Sequence, residues 1–215
     1  MASPTEQTSD GILDAARGLV MQGGASAATV PAIALASGAP VATLAHQFGS
    51  REDLLARLWI RAAQRSQAAV LAAMRSNPDP REAAVAAGLA VFDFVLTNPE
   101  DARLLVSIGR ADLFGVPSTP DLRIELEQLN EPVIAGLREL AERLTGTPGR
   151  AVVDSLAMAV IDIPHGAVRR HLSEDGQPPP ARLRRGLEVA IRGALDTIER
   201  SRFEYRNGRA ALRIV

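Results

Sequence analysis

Apolar side chains in this chain recur at intervals of three and four residues over long windows and almost nowhere at alternate positions. That is the period of a helix with one buried face, and it leaves little room for strands. Composition agrees: alanine is abundant, aromatics are only 3%, and strong helix formers dominate. The 215 residues, 47% of them hydrophobic, suffice for one large domain or a small domain joined to a larger one. The expectation is an all-α chain of about nine helices separated by Pro, Gly and Asn.

Several classes of function fall away at once. There is no cysteine, so disulfides, thiolate metal sites and a cysteine nucleophile are excluded. The 24 basic residues are all arginine and face 25 acidic ones, a formal charge of −1, so contact with nucleic acid must come from local arrangement. Met1 to Asp10 is polar and acidic and lacks the pattern of a signal peptide. Residues 18–50 carry no formal charge, but Gly23, Gly24, Pro31, Gly38 and Pro40 interrupt them well short of a membrane span. A cytoplasmic protein with no membrane partner is expected.

Local signals place the elements. A first helix over about 9–22 turns Ile12, Ala15, Ala16, Leu19 and Val20 to one side and stops at Gly23-Gly24. Thr29 caps a short helix that holds Ile33 and Ala34 and ends at Ser37-Gly38. A second short helix over about 40–47 presents Leu44 and Phe48 inward, and Ser50 with Asp53 forms a capping box opening a long helix to about Arg75. Two short helices joined by a glycine-bearing turn make a helix-turn-helix. Further helices are expected near 81–97, 100–113, 120–145, 149–172 and 181–203, with a kink at Pro164.

Ile12-Leu13-Asp14-Ala15-Ala16, Thr29-Val30 with Ile33-Ala34, Ser37-Gly38-Ala39, then Thr43-Leu44, His46, Phe48 and Ser50 to Leu55 resemble the N-terminal domain of the TetR family of transcriptional regulators. The resemblance covers about residues 9–58; beyond them it extends only to the number, length and order of helices. It implies a two-fold homodimer that reads a palindromic double-stranded operator and releases it when a small molecule enters the C-terminal domain. The implied organisation is a helix-turn-helix domain at 1–55, a ligand-binding and dimerisation domain at 56–203, and a tail at 204–215. By position, DNA contacts fall to Thr29, Val41, Ala42, Thr43, His46, Gln47 and Arg51.

The charge pattern here is unusual for a DNA-binding surface. From Met1 to Leu55, Arg17 and Arg51 stand against five carboxylates, a balance of −3. Phosphate neutralisation supplies most non-specific affinity, and Arg51 is the main cation available for it. The reading helix has no Arg, Lys or Asn for paired base contacts; Gln47 suits adenine, and Val41, Ala42 and Thr43 suit thymine methyl groups.

In the larger domain, the resemblance puts the dimer contact on the last two helices, where Leu183, Leu187, Ala190, Ile191, Ala194, Leu195 and Ile198 form a wide apolar face that serves either a partner or the chain's own core. The effector expected is mostly apolar, with Phe92, Asp93, Ser107, Ile108, Asn130, Asp162 and His165 as lining and anchoring residues. Asp162, His165 and Arg169 share one helical stripe, which reads as a charge network rather than a catalytic pair because no nucleophile or phosphate loop accompanies it. The three histidines make no metal spacing, and no cofactor is implied. Two functions remain open: a ligand-responsive repressor, and a protein of the same fold that has lost operator binding and acts as a small-molecule binder or enzyme.

Overall fold

The computed structural model describes residues 4–108, 119–146, 149–174 and 178–211, and the side chains of 9–108, 119–146, 149–172 and 178–198. The described residues are helical, with no strand among them: α1 Pro4–Gly23, a 3-10 turn Ala25–Ala27, α2 Val30–Ser37, α3 Val41–Phe48, α4 Arg51–Arg75, α5 Pro80–Thr97, α6 Pro99–Ser107, α7 Pro120–Gln128, α8 Glu131–Thr145, α9 Arg150–Ala157, a π turn Met158–Asp162, α10 Ile163–Glu174 and α11 Ala181–Ala211. They form two compact units, one of Met1–Ser66 with Asn98–Asn130 and the other of Gln67–Thr97 with Glu131–Val215. The division falls inside α4, and α6 and α7 belong to the same unit as the N-terminal helices.

Four helices differ from the expected pattern, the first by starting at Pro4 rather than near residue 9. The single helix expected over 120–145 is two, broken at Leu129-Asn130, because Pro132 lies in the first turn of α8 and cannot donate to a continuing helix. The helix over 149–172 carries the π turn immediately before Pro164, and the Ile163 N–H reaches back to the Met158 carbonyl. This is how the chain accommodates the donor that Pro164 lacks. The last helix continues past 203 to Ala211, taking in most of the expected tail; residues 212–215 and 109–113 lie outside the described residues.

In the second unit α5 is central, packed against the π turn, α8, α10 and α11. A Cβ on Gly88 would come within 2.6 Å of Ile191 Cδ1 and 3.4 Å of the Ala159 carbonyl oxygen, so a bare backbone is what lets these elements approach. Leu187, Ile191, Leu195 and Ile198 are buried there, so this face of α11 completes the chain's own core. Ion pairs run alongside: Arg184 to Asp93 at 2.9 and 3.0 Å, Arg192 to Glu82 at 2.7 and 2.9 Å, and Arg81 to Asp196. Arg143 of α8 donates to the carbonyls of Met74, Asn77 and Pro78 and closes the C-terminal end of α4.

The first unit is built on Ile12, Leu13, Ala16 and Val20 of α1, Ile33 of α2, Leu44 and Phe48 of α3, Leu54, Leu58 and Trp59 of α4, Leu104 of α6, and Leu122 and Leu126 of α7. Within it lies a buried charge. Asp101 of α6 is 2% exposed, and its carboxylate accepts from Arg17 of α1 at 2.7 Å and from Arg65 of α4 at 3.0 Å. Arg17 also meets Asp14 at 3.4 Å and Glu100 at 3.1 Å, while Arg61 of α4 donates to Asp10 and Asp14 at 2.8 and 2.7 Å. A buried carboxylate is tolerable only when paired in this way.

Burial pushes the Asp101 carboxyl up, but hydrogen bonds from Arg17 and Arg65, with their charges, outweigh it and hold it below the ordinary carboxylate range. The contribution to stability is therefore complete above the unfolded value, about pH 4, and is lost as pH falls further through the folded value. Asp101→Asn is expected to cost about 2–4 kcal/mol, reduced from the full buried-pair penalty because the arginines keep some water. Urea unfolding followed through Trp59, the single tryptophan, checks this, and the variant should lose less stability than the wild type as pH falls below about 4.

Candidate nucleic-acid interface

The helix-turn-helix is set by short-range signals. The Thr29 hydroxyl accepts the Ala32 N–H at 3.3 Å and starts α2, with Pro31 in the first turn where its missing donor costs nothing. Gly38 ends α2 at φ 69°, a left-handed conformation that favours glycine. Gly38, Ala39 and Pro40 then lead into α3, and the Ser50 hydroxyl accepts the Asp53 N–H at 3.0 Å to begin α4. Ile33, Leu44 and Phe48 point inward, as expected.

What faces outward is nearly neutral. On α3, Val41 is 51% exposed, and Ala42, Ala45 and His46 are exposed with it. These positions, one and four apart, lie on the side opposite Leu44 and Phe48. Thr43 is half-buried. So is Gln47, whose Oε1 accepts from the Ser9 hydroxyl of α1 at 3.0 Å. Leu35 on α2 is 87% exposed. Thr29 is exposed but serves its own helix as cap.

Arg51 has a different role from the one its position suggests. Its Nε donates to the Ala28 carbonyl at 2.8 Å, its Nη2 donates to the Ala25 carbonyl, and its Nη1 donates to Glu52 at 3.3 Å. The guanidinium ties the 3-10 turn to the start of α4 and is half-buried in doing so. Sequence spacing gives no sign of this tie, which spans more than twenty residues. The exposure of Leu35 was legible, since a residue two past the inward Ile33 lies about 200° round the helix.

The residues proposed for an effector divide between the units. Ser107, Ile108 and Asn130 belong to the first, where Ile108 is buried and the Ser107 hydroxyl donates to the Arg103 carbonyl at 2.8 Å. Phe92, Asp93, Asp162 and His165 belong to the second. Phe92 is buried and Asp93 is engaged by Arg184. Asp162 and His165 are exposed, and His165 Nδ1 lies 2.9 Å from the Ile161 carbonyl of its own helix. Among the described residues no group of His, Asp and Glu is placed to hold a metal ion.

Residues 12–58 match the family model of bacterial regulatory proteins, tetR family. No curated protein matches the chain. Among solved structures, the TetR family transcriptional regulator PfmR from Thermus thermophilus is 23% identical over 88% of this chain and 97% of its own, with a TM-score of 0.62. A transcriptional regulator from Rhodococcus sp. Rha1 is 17% identical over 91% and 97%, at 0.67, and the fatty acid degradation regulator FadR from Bacillus halodurans is 19% identical over 86% and 97%, at 0.60. The chain therefore has a TetR-type N-terminal domain and the fold of TetR-family regulators.

Replacing Arg51 by Ala leaves the Ala25 and Ala28 carbonyls without their side-chain donor, at a cost of about 1–3 kcal/mol. Arg51→Lys should recover little, because one ammonium cannot reproduce the forked geometry. Thermal melting of both variants in the absence of DNA measures this structural role directly.

Proposed function

We propose that this chain, with its TetR-type helix-turn-helix, is a cytoplasmic, homodimeric repressor whose operator binding is modulated by a mostly apolar small molecule. The observation that carries the reading is α3: an eight-residue helix anchored by Leu44 and Phe48 that leaves Val41, Ala42, Ala45 and His46 outside the core, within the stretch that matches the family model. A helix held this way is available to a major groove.

Dimerisation is supported by a surface separate from the face of α11 that fills the core. The helical run Arg150–Leu172 is long and apolar enough to cross a membrane by composition, yet only 28% of its most apolar window is buried within the chain. Met158 on its π turn is 42% exposed and Val189 on α11 is 72% exposed. Covering these exposed apolar side chains with a second copy removes apolar surface from water. Phe92, Leu89 and Val95 on α5 make the interior of the second unit apolar, and such an interior favours an apolar ligand with few polar anchors.

A second reading is favoured by the commitment of Arg51 and Gln47 to internal contacts: the fold is retained for small-molecule binding or chemistry while operator binding is lost. Gel-shift titration against DNA flanking the gene separates the two. For the repressor, binding is expected with a shallow salt dependence, well below the roughly thousandfold loss between 50 and 200 mM salt of a protein making 6–10 phosphate contacts. A steep slope would place the contact surface elsewhere, and no sequence-selective binding would favour the second reading.

For the dimer, Met158→Glu with Val189→Glu should give a folded monomer in sedimentation, at unchanged helix content by circular dichroism. Leu187→Glu or Ile191→Glu should instead unfold the second unit, because those side chains are core.

A further inference from the structure

Resting on the DNA-binding reading above, we propose that α3 recognises its operator through the 5-methyl groups of pyrimidines in the major groove, thymine foremost. The usual polar means of reading a base are absent or occupied. Residues 41–48 include no Arg, Lys or Asn. Gln47 is half-buried with its Oε1 already accepting from Ser9, which holds the amide against α1 and away from the two-point pairing with adenine that needs both its oxygen and its nitrogen. Arg51, at the start of α4, donates to the Ala25 and Ala28 carbonyls and to Glu52.

What α3 does offer is hydrocarbon. The isopropyl group of Val41 and the methyls of Ala42 and Ala45 form one outward strip, flanked by the exposed imidazole of His46. The thymine methyl is the one apolar group among the four bases on the major-groove edge, and aliphatic side chains are its natural contacts. No residue from 18 to 50 carries a formal charge, so this surface gains little from phosphates, and its selectivity has to come from fitting apolar groups together. His46 and the half-buried Thr43 are left as the polar readers beside the strip.

The proposal has a signature that no hydrogen-bonding reader shares. Uracil presents the same donors and acceptors as thymine without the methyl, and 5-methylcytosine presents those of cytosine with it. A sensitive half-site position read by methyl contact should therefore bind in the order thymine and 5-methylcytosine above uracil and cytosine. A position read by hydrogen bonding gives thymine and uracil above both cytosines.

Full-length protein is first used to enrich sites from random duplexes. The four bases are then placed singly at each thymine of the enriched half-site, and affinities are measured at fixed salt. Each lost methyl is expected to weaken binding about fourfold, and symmetric loss from both half-sites about sixteenfold. Val41→Ser and Ala45→Ser, at exposed positions, should flatten the thymine-to-uracil difference, with folding checked by circular dichroism. The hydrogen-bonding order, or four equal affinities at every thymine, would overturn the methyl proposal while leaving the DNA-binding reading intact. Failure to enrich any duplex would overturn the DNA-binding reading, and the methyl proposal with it.

Discussion

The carboxylate of Asp101, enclosed by guanidinium groups from two other helices, is the contact on which the arrangement of the first unit depends. Without it, α6 would keep only the exposed Glu100 pair with Arg17 as a polar tie to α1, and sequence proximity would not put it there. The ionic contact fixes direction where apolar packing is permissive: Leu104 and Ile108 could satisfy burial against several surfaces, but a buried charge has to meet its partners within hydrogen-bond distance. Because α2 packs on α1, the position of the outward strip on α3 is inherited from where α1 is held.

Most of the helix-turn-helix could be read from the sequence because its determinants are local. Thr29, Gly38 and Ser50 act on neighbours within a few residues, and Ile33, Leu44 and Phe48 declare their faces through spacing. The uncharged character of the reading surface was equally visible. The partners of charged residues were not. Arg51 stands at a position where a phosphate contact is the natural expectation, and its actual acceptors become neighbours only when the chain closes on itself. Asp101 reads as an ordinary acidic residue in the first turn of a helix, favoured there by the helix dipole, until the fold buries it. Pro132 is the exception: a local signal for a helix break, hidden beneath an apolar pattern that continues in phase across it.

The same ambiguity governs the second unit, where apolar periodicity identifies a buried face without identifying what buries it. Leu187 and Ile191 have the spacing of an interface and are interior to the chain, while Val189, between them in sequence, faces out. Gly88 helps settle the outcome by admitting Ile191 to the backbone of α5. The π turn is a second adjustment, made where Pro164 denies the helix a donor, and it places the exposed Met158 on a segment that also contributes the fully buried Ala159 and Val160 to the core.

The ion pairs described in both units are founded on arginine, for the chain has no lysine. A lysine begins to surrender its proton near pH ~10, whereas a guanidinium holds its own beyond pH ~12. The junctions at Asp101 and Glu82 are consequently sensitive to acid and indifferent to moderate alkali, an asymmetry that a mixed set of cations would blur. The same composition leaves no side-chain amine for acetylation, so the chain's internal charges are beyond the reach of enzymes that regulate proteins by neutralising lysine.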